Sequence, residues 1–107
     1  MVFEEISATD LKQRLDAGDL QLVDVRQPNE HDFAKIKGSK LIPLGEILSR
    51  TDELDPAKDL YLYCKMGGRS AQAAEALKRS GYEGNVINLR GGITAWSNDV
   101  DPSVPKY

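Results

Sequence analysis

The apolar run Leu60-Tyr61-Leu62-Tyr63 stops at Cys64; Gly67 and Gly68 follow, and a helix-compatible stretch begins near Arg69 and continues to about Arg79. A run that short and apolar, closed by glycines, reads as strand, tight loop and helix. Elsewhere the chain repeats the alternation. Leu20 to Val25, with β-branched Val23 and Val25, reads as a strand covered on both faces. It is followed by a turn at Gln27-Pro28-Asn29-Glu30 and a short helix through Phe33, with Pro28 at a first helical position that tolerates it. Asn85 to Leu89 is a third strand, leading through Arg90-Gly91-Gly92 to a short helix that holds Trp96. Strands alternating with helices predict an α/β domain with a mainly parallel central sheet flanked by helices, and place its site at the carboxyl ends of the strands.

The remaining segments fit the same plan. Val2 to Glu4 is a short strand, and Ser7 caps a helix that carries Leu11 and Leu15 four residues apart, with Asp10 and Arg14 spaced to pair beside them and Gly18 as its stop. Lys40 to Pro43 is a short strand, Gly45 to Arg50 a short helix, and Asp52 to Asp59 a polar connection. In the helix after Cys64, Ala73, Ala74 and Leu77 share an apolar face, Glu75 and Arg79 pair outside it, and Gly81 ends it. Residues 1–107 make one domain, with 99–107 expected as an extended tail containing Pro102 and Pro105.

Cys64 is the only cysteine. A side chain at the end of a strand that feeds a helix faces unpartnered N–H groups and a partial positive charge. Lys65 and Arg69 add full charges to the loop, while Gly67 and Gly68 let successive amides turn inward. Those features favour the thiolate, which is the attacking form of cysteine. With no second cysteine there is no internal disulfide and no resolving thiol, so any sulfur loaded on Cys64 must leave to an outside nucleophile. One cysteine and one histidine offer no zinc spacing, and the residues call for no metal or cofactor.

Composition narrows the classes further. Hydrophobic residues make up 40% and charged residues 29%, which suits a globular chain, and no apolar run approaches bilayer length. The amino terminus lacks a secretory pattern, which makes a cytoplasmic location the expectation. A net charge of −3 argues against nonspecific nucleic-acid binding.

Several separated motifs together resemble a rhodanese domain, the fold of sulfurtransferases that carry a persulfide on one cysteine. They are Leu22-Val23-Asp24-Val25-Arg26, Glu30, Ile36 with Gly38, Tyr63-Cys64 through Arg69-Ser70, and Leu89-Arg90-Gly91-Gly92-Ile93-Thr94-Ala95-Trp96. Lys40-Leu41-Ile42-Pro43-Leu44 and the ending Asp101 to Tyr107 are similar to the carboxy-terminal rhodanese domains of adenylyltransferase-sulfurtransferases, which serve ubiquitin-like sulfur carriers. Many rhodaneses have Gly-His-Ile-Pro-Gly where this chain has Ala34-Lys35-Ile36-Lys37-Gly38.

The resemblance implies a sulfurtransferase with Cys64 as catalytic residue and a persulfide-binding loop formed by Lys65, Met66, Gly67, Gly68, Arg69 and Ser70. Asp24 and Arg26 take mainly structural roles, Arg26 near the pocket, and Trp96 is core or pocket wall. Lys65 is either a solvated lysine or an attractor of the donor, and His31 is packed or exposed rather than a base. The implied donors are thiosulfate or the persulfide of a cysteine desulfurase, and the implied acceptors are thiophiles or a sulfur-carrier protein. Two other functions use the same residues: a noncatalytic binding module, and a cysteine-dependent phosphatase. The four residues between Cys64 and Arg69 weigh against the phosphatase, whose related loop has five.

Overall fold

The computed structural model describes residues 2–107. Five parallel strands form one sheet in the order β1-β5-β4-β2-β3, where β1 is Glu4–Ile6, β2 Gln21–Asp24, β3 Lys40–Leu41, β4 Leu60–Tyr63 and β5 Val86–Leu89. The helices are α1 (Ala8–Ala17), α2 (Pro28–Phe33), α3 (Gly68–Arg79) and α4 (Gly92–Asp99). The fold is the expected α/β arrangement with a parallel sheet between helical layers.

Strand alternation decides which face each residue serves. On β4, Tyr61 and Tyr63 enter a core with Leu11 of α1 and Ile93 and Trp96 of α4. Leu60 and Leu62, with Cys64 in phase beyond them, enter a second core with Ala73, Ala74 and Leu77 of α3. On β2, Leu22 faces the first core and Val23, with Val25 after it, the second. The chain leaves β2 toward β3 on one side and leaves β4 toward β5 on the other. The reversal puts the loops after β2 and β4 around one crevice at the carboxyl edge, where such sheets hold their ligands.

Several local expectations shift. The first strand runs over Glu4–Ile6 rather than Val2 to Glu4, because Ile6 is the residue that buries, opposite Leu89, whereas Val2 is exposed. The expected Asp10–Arg14 pair is replaced: Arg14 Nη1 donates to Tyr61 Oη at 2.7 Å, supplying the partner that a buried phenol requires. The Gly45 to Arg50 helix becomes two 3-10 turns, Leu44–Glu46 and Leu48–Glu53, with Arg50 out of helical geometry. Ile47 alone is buried between them, and one anchor does not define a helical face. The Ser7 cap, the Gly18 stop and the Glu75–Arg79 pair are present as expected.

The tail differs most from the extended segment anticipated. Asp99 still belongs to α4, Val100 and Asp101 N–H groups donate to the Trp96 carbonyl, and a turn brings Val104 N–H to the Asp101 carbonyl at 3.1 Å. Ser97 Oγ donates to the Val104 carbonyl at 2.8 Å. Buried Val104 pulls the turn onto the first core, so an apolar residue between two prolines acts as an anchor.

Helix α4 also fixes the loop after β4. Its Ile93 and Thr94 N–H groups donate to the Cys64 and Lys65 carbonyls at 2.9 and 3.1 Å. That approach requires Gly92, which has φ +59° and whose Cβ, were there one, would collide with both carbonyls. Gly92→Ala is expected to destabilise the fold by about 3 kcal/mol, because strain and the clash fall together. Chemical denaturation of the purified variant measures the loss.

Candidate functional site

Cys64 directly follows β4, and its sulfur meets the turn into α3. Gly67 N–H donates to Sγ at 3.1 Å, Ser70 N–H at 3.4 Å and Ser70 Oγ at 3.3 Å. Gly67 makes the turn possible with φ +106°, a left-handed conformation at the N-cap of α3. Its carbonyl accepts from Ala71 N–H at 3.1 Å and Asn88 Nδ2 at 3.2 Å, and at 3.3 Å it shares the single Ser70 hydroxyl proton with the sulfur. Two amides and one hydroxyl are the donors on the sulfur, a narrower set than the whole run from Lys65 to Ser70. Cys64 is 1% exposed, far more enclosed than a nucleophile open to water, while Met66 at the loop tip is 62% exposed.

The two loop cations occupy different positions from those their sequence neighbours suggested. Arg69 forms a two-pronged pair with Glu30 of α2, Nη1 to Oε1 at 2.7 Å and Nη2 to Oε2 at 2.9 Å. Lys65 Nζ lies 4.6 Å from the centre of the Tyr107 ring, a cation–π contact with the tail. Arg69's bond to Glu30 raises its already high pKa, and the same bond, helped by Tyr107, holds the Glu30 carboxyl at about 2 despite burial.

Behind the rim lies a buried ionic cluster built from β2. Asp24 Oδ1 accepts from Arg26 Nε at 2.9 Å and Oδ2 from Arg26 Nη2 at 2.7 Å, both side chains being fully buried. His31 Nδ1 donates to Asp24 Oδ2 at 2.9 Å, so His31 is packed in the cluster. Arg26 also donates to the Ala34 carbonyl and, through Nη1, to Tyr107 Oη at 2.7 Å. Burial opposes the Arg26 charge, but bonds to Asp24 and Tyr107 outweigh it and leave the guanidinium more basic than usual. Burial, reinforced by the Asp24 charge, pushes the Tyr63 phenol up to about 12.

Trp96 is not part of this site. It packs in the α1 and α4 core and lines a groove of about 450 Å³ with Leu15, Ile36 and Val104, whereas Cys64 packs in the other core. Asp24 and Arg26 lie buried behind the rim, and of the loop from Lys65 to Ser70 it is Gly67 and Ser70 that reach the sulfur. Roles for Glu30 and Tyr107 were not assigned from the sequence, although their types signal ion pairing and a polar tip in an otherwise proline-spaced tail. Asn88 was missed as well. Its signal was an amide in the middle of the apolar run Val86-Ile87-Asn88-Leu89, where a buried polar side chain needs a reason.

The family follows from this arrangement and from likeness to known proteins. Residues 7–99 match the model of the rhodanese-like domain, and the chain belongs to the rhodanese-like family. It is 42% identical to a sulfurtransferase of Allochromatium vinosum, with 94% of each chain covered. It is 39% identical to the probable adenylyltransferase/sulfurtransferase MoeZ of Mycobacterium tuberculosis, covering 95% of this chain and 26% of that protein. The solved structure of reduced Bacillus anthracis CoADR-RHD superposes with a TM-score of 0.85 at 32% identity, covering 96% of this chain and 18% of the other. The chain therefore spans about a quarter of MoeZ, and 30% of a chloroplastic rhodanese-like/PpiC domain protein of Arabidopsis thaliana to which it is 45% identical.

The Glu30–Arg69 pair carries a pH signature. Because the folded carboxyl sits near 2 rather than its ordinary 4.5, its stabilisation is complete above about pH 4.5 and is lost as pH falls toward 2. Glu30→Gln is expected to melt below the unmodified protein at neutral pH, with the gap closing across that acidic window. Melting temperature against pH for the two proteins checks it.

Proposed function

We propose that the domain carries sulfane sulfur as a persulfide on Cys64. The thiolate attacks the outer sulfur of thiosulfate; a sulfur–sulfur bond forms, the donor's sulfur–sulfur bond breaks, and sulfite leaves with the electron pair. Cys64–S–S⁻ then gives its terminal sulfur to a nucleophile and returns as thiolate. The observation that carries this reading is the convergence of Gly67 N–H, Ser70 N–H and Ser70 Oγ on one sulfur at the end of β4. Donors fixed by the fold stabilise negative charge without rearranging, and charge is present before and after loading.

The enclosed sulfur fits a closed resting loop. Loading requires the exposed tip at Met66 to yield while Gly67 and Ser70, whose N–H groups hold the sulfur, stay in place. A terminal sulfur atom needs little room, which distinguishes this chemistry from phosphate hydrolysis. Arg69 weighs the same way: its guanidinium is committed to Glu30 and is not held over the sulfur to clamp a tetrahedral anion.

Small thiosulfate is one donor, and a protein persulfide such as that of a cysteine desulfurase is another. Likeness to MoeZ and, at 37% identity, to the putative sulfur carrier protein YrkF of Bacillus subtilis supports a sulfur-carrier protein as physiological acceptor.

Thiosulfate is expected to add one sulfur to the intact protein, cyanide to remove it as thiocyanate, and Cys64→Ser to do neither. Ser70→Ala is expected to slow loading about tenfold by removing one donor while leaving the amides. Intact mass and thiocyanate release measure both; a protein that gains no sulfur from thiosulfate or from a desulfurase persulfide is a binding module instead.

A further inference from the structure

The loop cations are held by a residue 43 positions after the cysteine. Tyr107 Oη accepts from Arg26 Nη1 at 2.7 Å and donates to Glu30 Oε2 at 2.7 Å. Arginine has only donors and a carboxylate only acceptors, so the hydroxyl proton has one direction, toward Glu30. Glu30 Oε2 is the oxygen that also receives Arg69 Nη2 at 2.9 Å. The ring face receives Lys65 Nζ, and the Phe33 ring meets it edge-on, 5.9 Å between centres at 79°. One side chain thus touches Lys65 directly and reaches Arg69 through Glu30. The sum is an aromatic residue fixed by a buried cation, a carboxylate and a neighbouring ring, with the two loop charges disposed around it.

We propose that Tyr107 is a positioning residue that keeps Lys65 and, through Glu30, Arg69 where their charge draws an anionic reagent to Cys64. Two physical effects act in the same direction. A lysine is a strongly hydrated charge on a flexible stem, and the aromatic face confines it beside the loop instead of leaving it spread through solvent. The hydroxyl donated to Glu30 satisfies part of that carboxylate, so less of its charge is spent on cancelling Arg69. The assignment deepens the sulfurtransferase reading, since the anion it concerns is the sulfur donor.

The field at the sulfur is measurable without turnover. Iodoacetate and iodoacetamide alkylate the same thiolate, one as an anion and one as a neutral molecule, so the ratio of their rates reads local charge independently of how much thiolate is present. Tyr107→Leu is expected to lower that ratio about two- to fivefold, the size of an exposed cation–π contact. Tyr107→Phe, which keeps the ring, should fall between, and Tyr107→Leu should have a smaller effect in a Lys65→Met background than alone. A ratio that stays the same or rises in Tyr107→Leu, in protein that melts cooperatively, overturns the proposal. So does an equal fall with and without Lys65.

With thiosulfate, Tyr107→Leu should raise KM by a similar factor and hold kcat within about twofold. A fall in kcat at constant KM also overturns it. If the alkylation ratio responds as stated but the unmodified protein takes no sulfur from thiosulfate, the positioning role stands and the donor assignment falls.

Discussion

A guanidinium with no access to water organises the carboxyl edge of this domain. Arg26 is fully buried at the end of β2 and cannot shed its proton, so every nearby polar group is recruited to it. Asp24, two residues earlier on the same face, provides the charge, and the Ala34 carbonyl and Tyr107 Oη satisfy the remaining donors named here. Each partner belongs to a different segment: β2, the end of α2, and the tail. The cluster consequently adds polar ties between three pieces of chain that Leu22, Ala34 and Val104 already join in the first core. Its stability value is modest, because desolvation offsets much of the attraction, but removing one partner leaves an uncompensated buried charge. The geometry it enforces is the more consequential result, since α2 carries Glu30 and the tail carries Tyr107.

The sulfur depends on a different device. Cys64 sits in phase with Leu60 and Leu62, so period-two alternation alone aims it at the α3 face, and the left-handed Gly67 folds the next amides back over it. Asn88 of β5 takes the Gly67 carbonyl and α4 takes the Cys64 and Lys65 carbonyls. With its oxygens drawn outward, the turn leaves N–H groups to face inward. The cradle for negative charge is built as much by where neighbouring elements pull the carbonyls as by the loop's own residues.

These two devices differ in how far the sequence discloses them. The strand, glycines and helix around Cys64 are local, and so are their consequences; alternation and turn chemistry sufficed to place the sulfur at a helix start on a parallel sheet. Contacts of long sequence separation were less visible. Lys65 and Arg69 read as charges aimed at sulfur because they neighbour it in sequence, yet Arg69 is paired with Glu30 and Lys65 lies on Tyr107. The tail read as polar and extended because its prolines and charges outnumber Val104, although a single buried valine and the Ser97 hydroxyl suffice to turn it back. Trp96 read equally as core or pocket wall, and only the layer assignment puts it on the far side of the sheet from the sulfur.

Enclosure and charge together suggest how such a site discriminates. A sulfur that is almost wholly covered is screened from bulk oxidants. On the proposed chemistry the loop cations draw the anionic donor and the cover over the sulfur limits what reaches it. In the proposed persulfide the negative charge lies on the terminal sulfur, one sulfur–sulfur bond beyond Sγ, so the Gly67 and Ser70 N–H groups serve the loaded form by holding that atom within the turn. The proposed chemistry thus asks of this turn what the thiolate already asks, fixed N–H groups facing a soft anion.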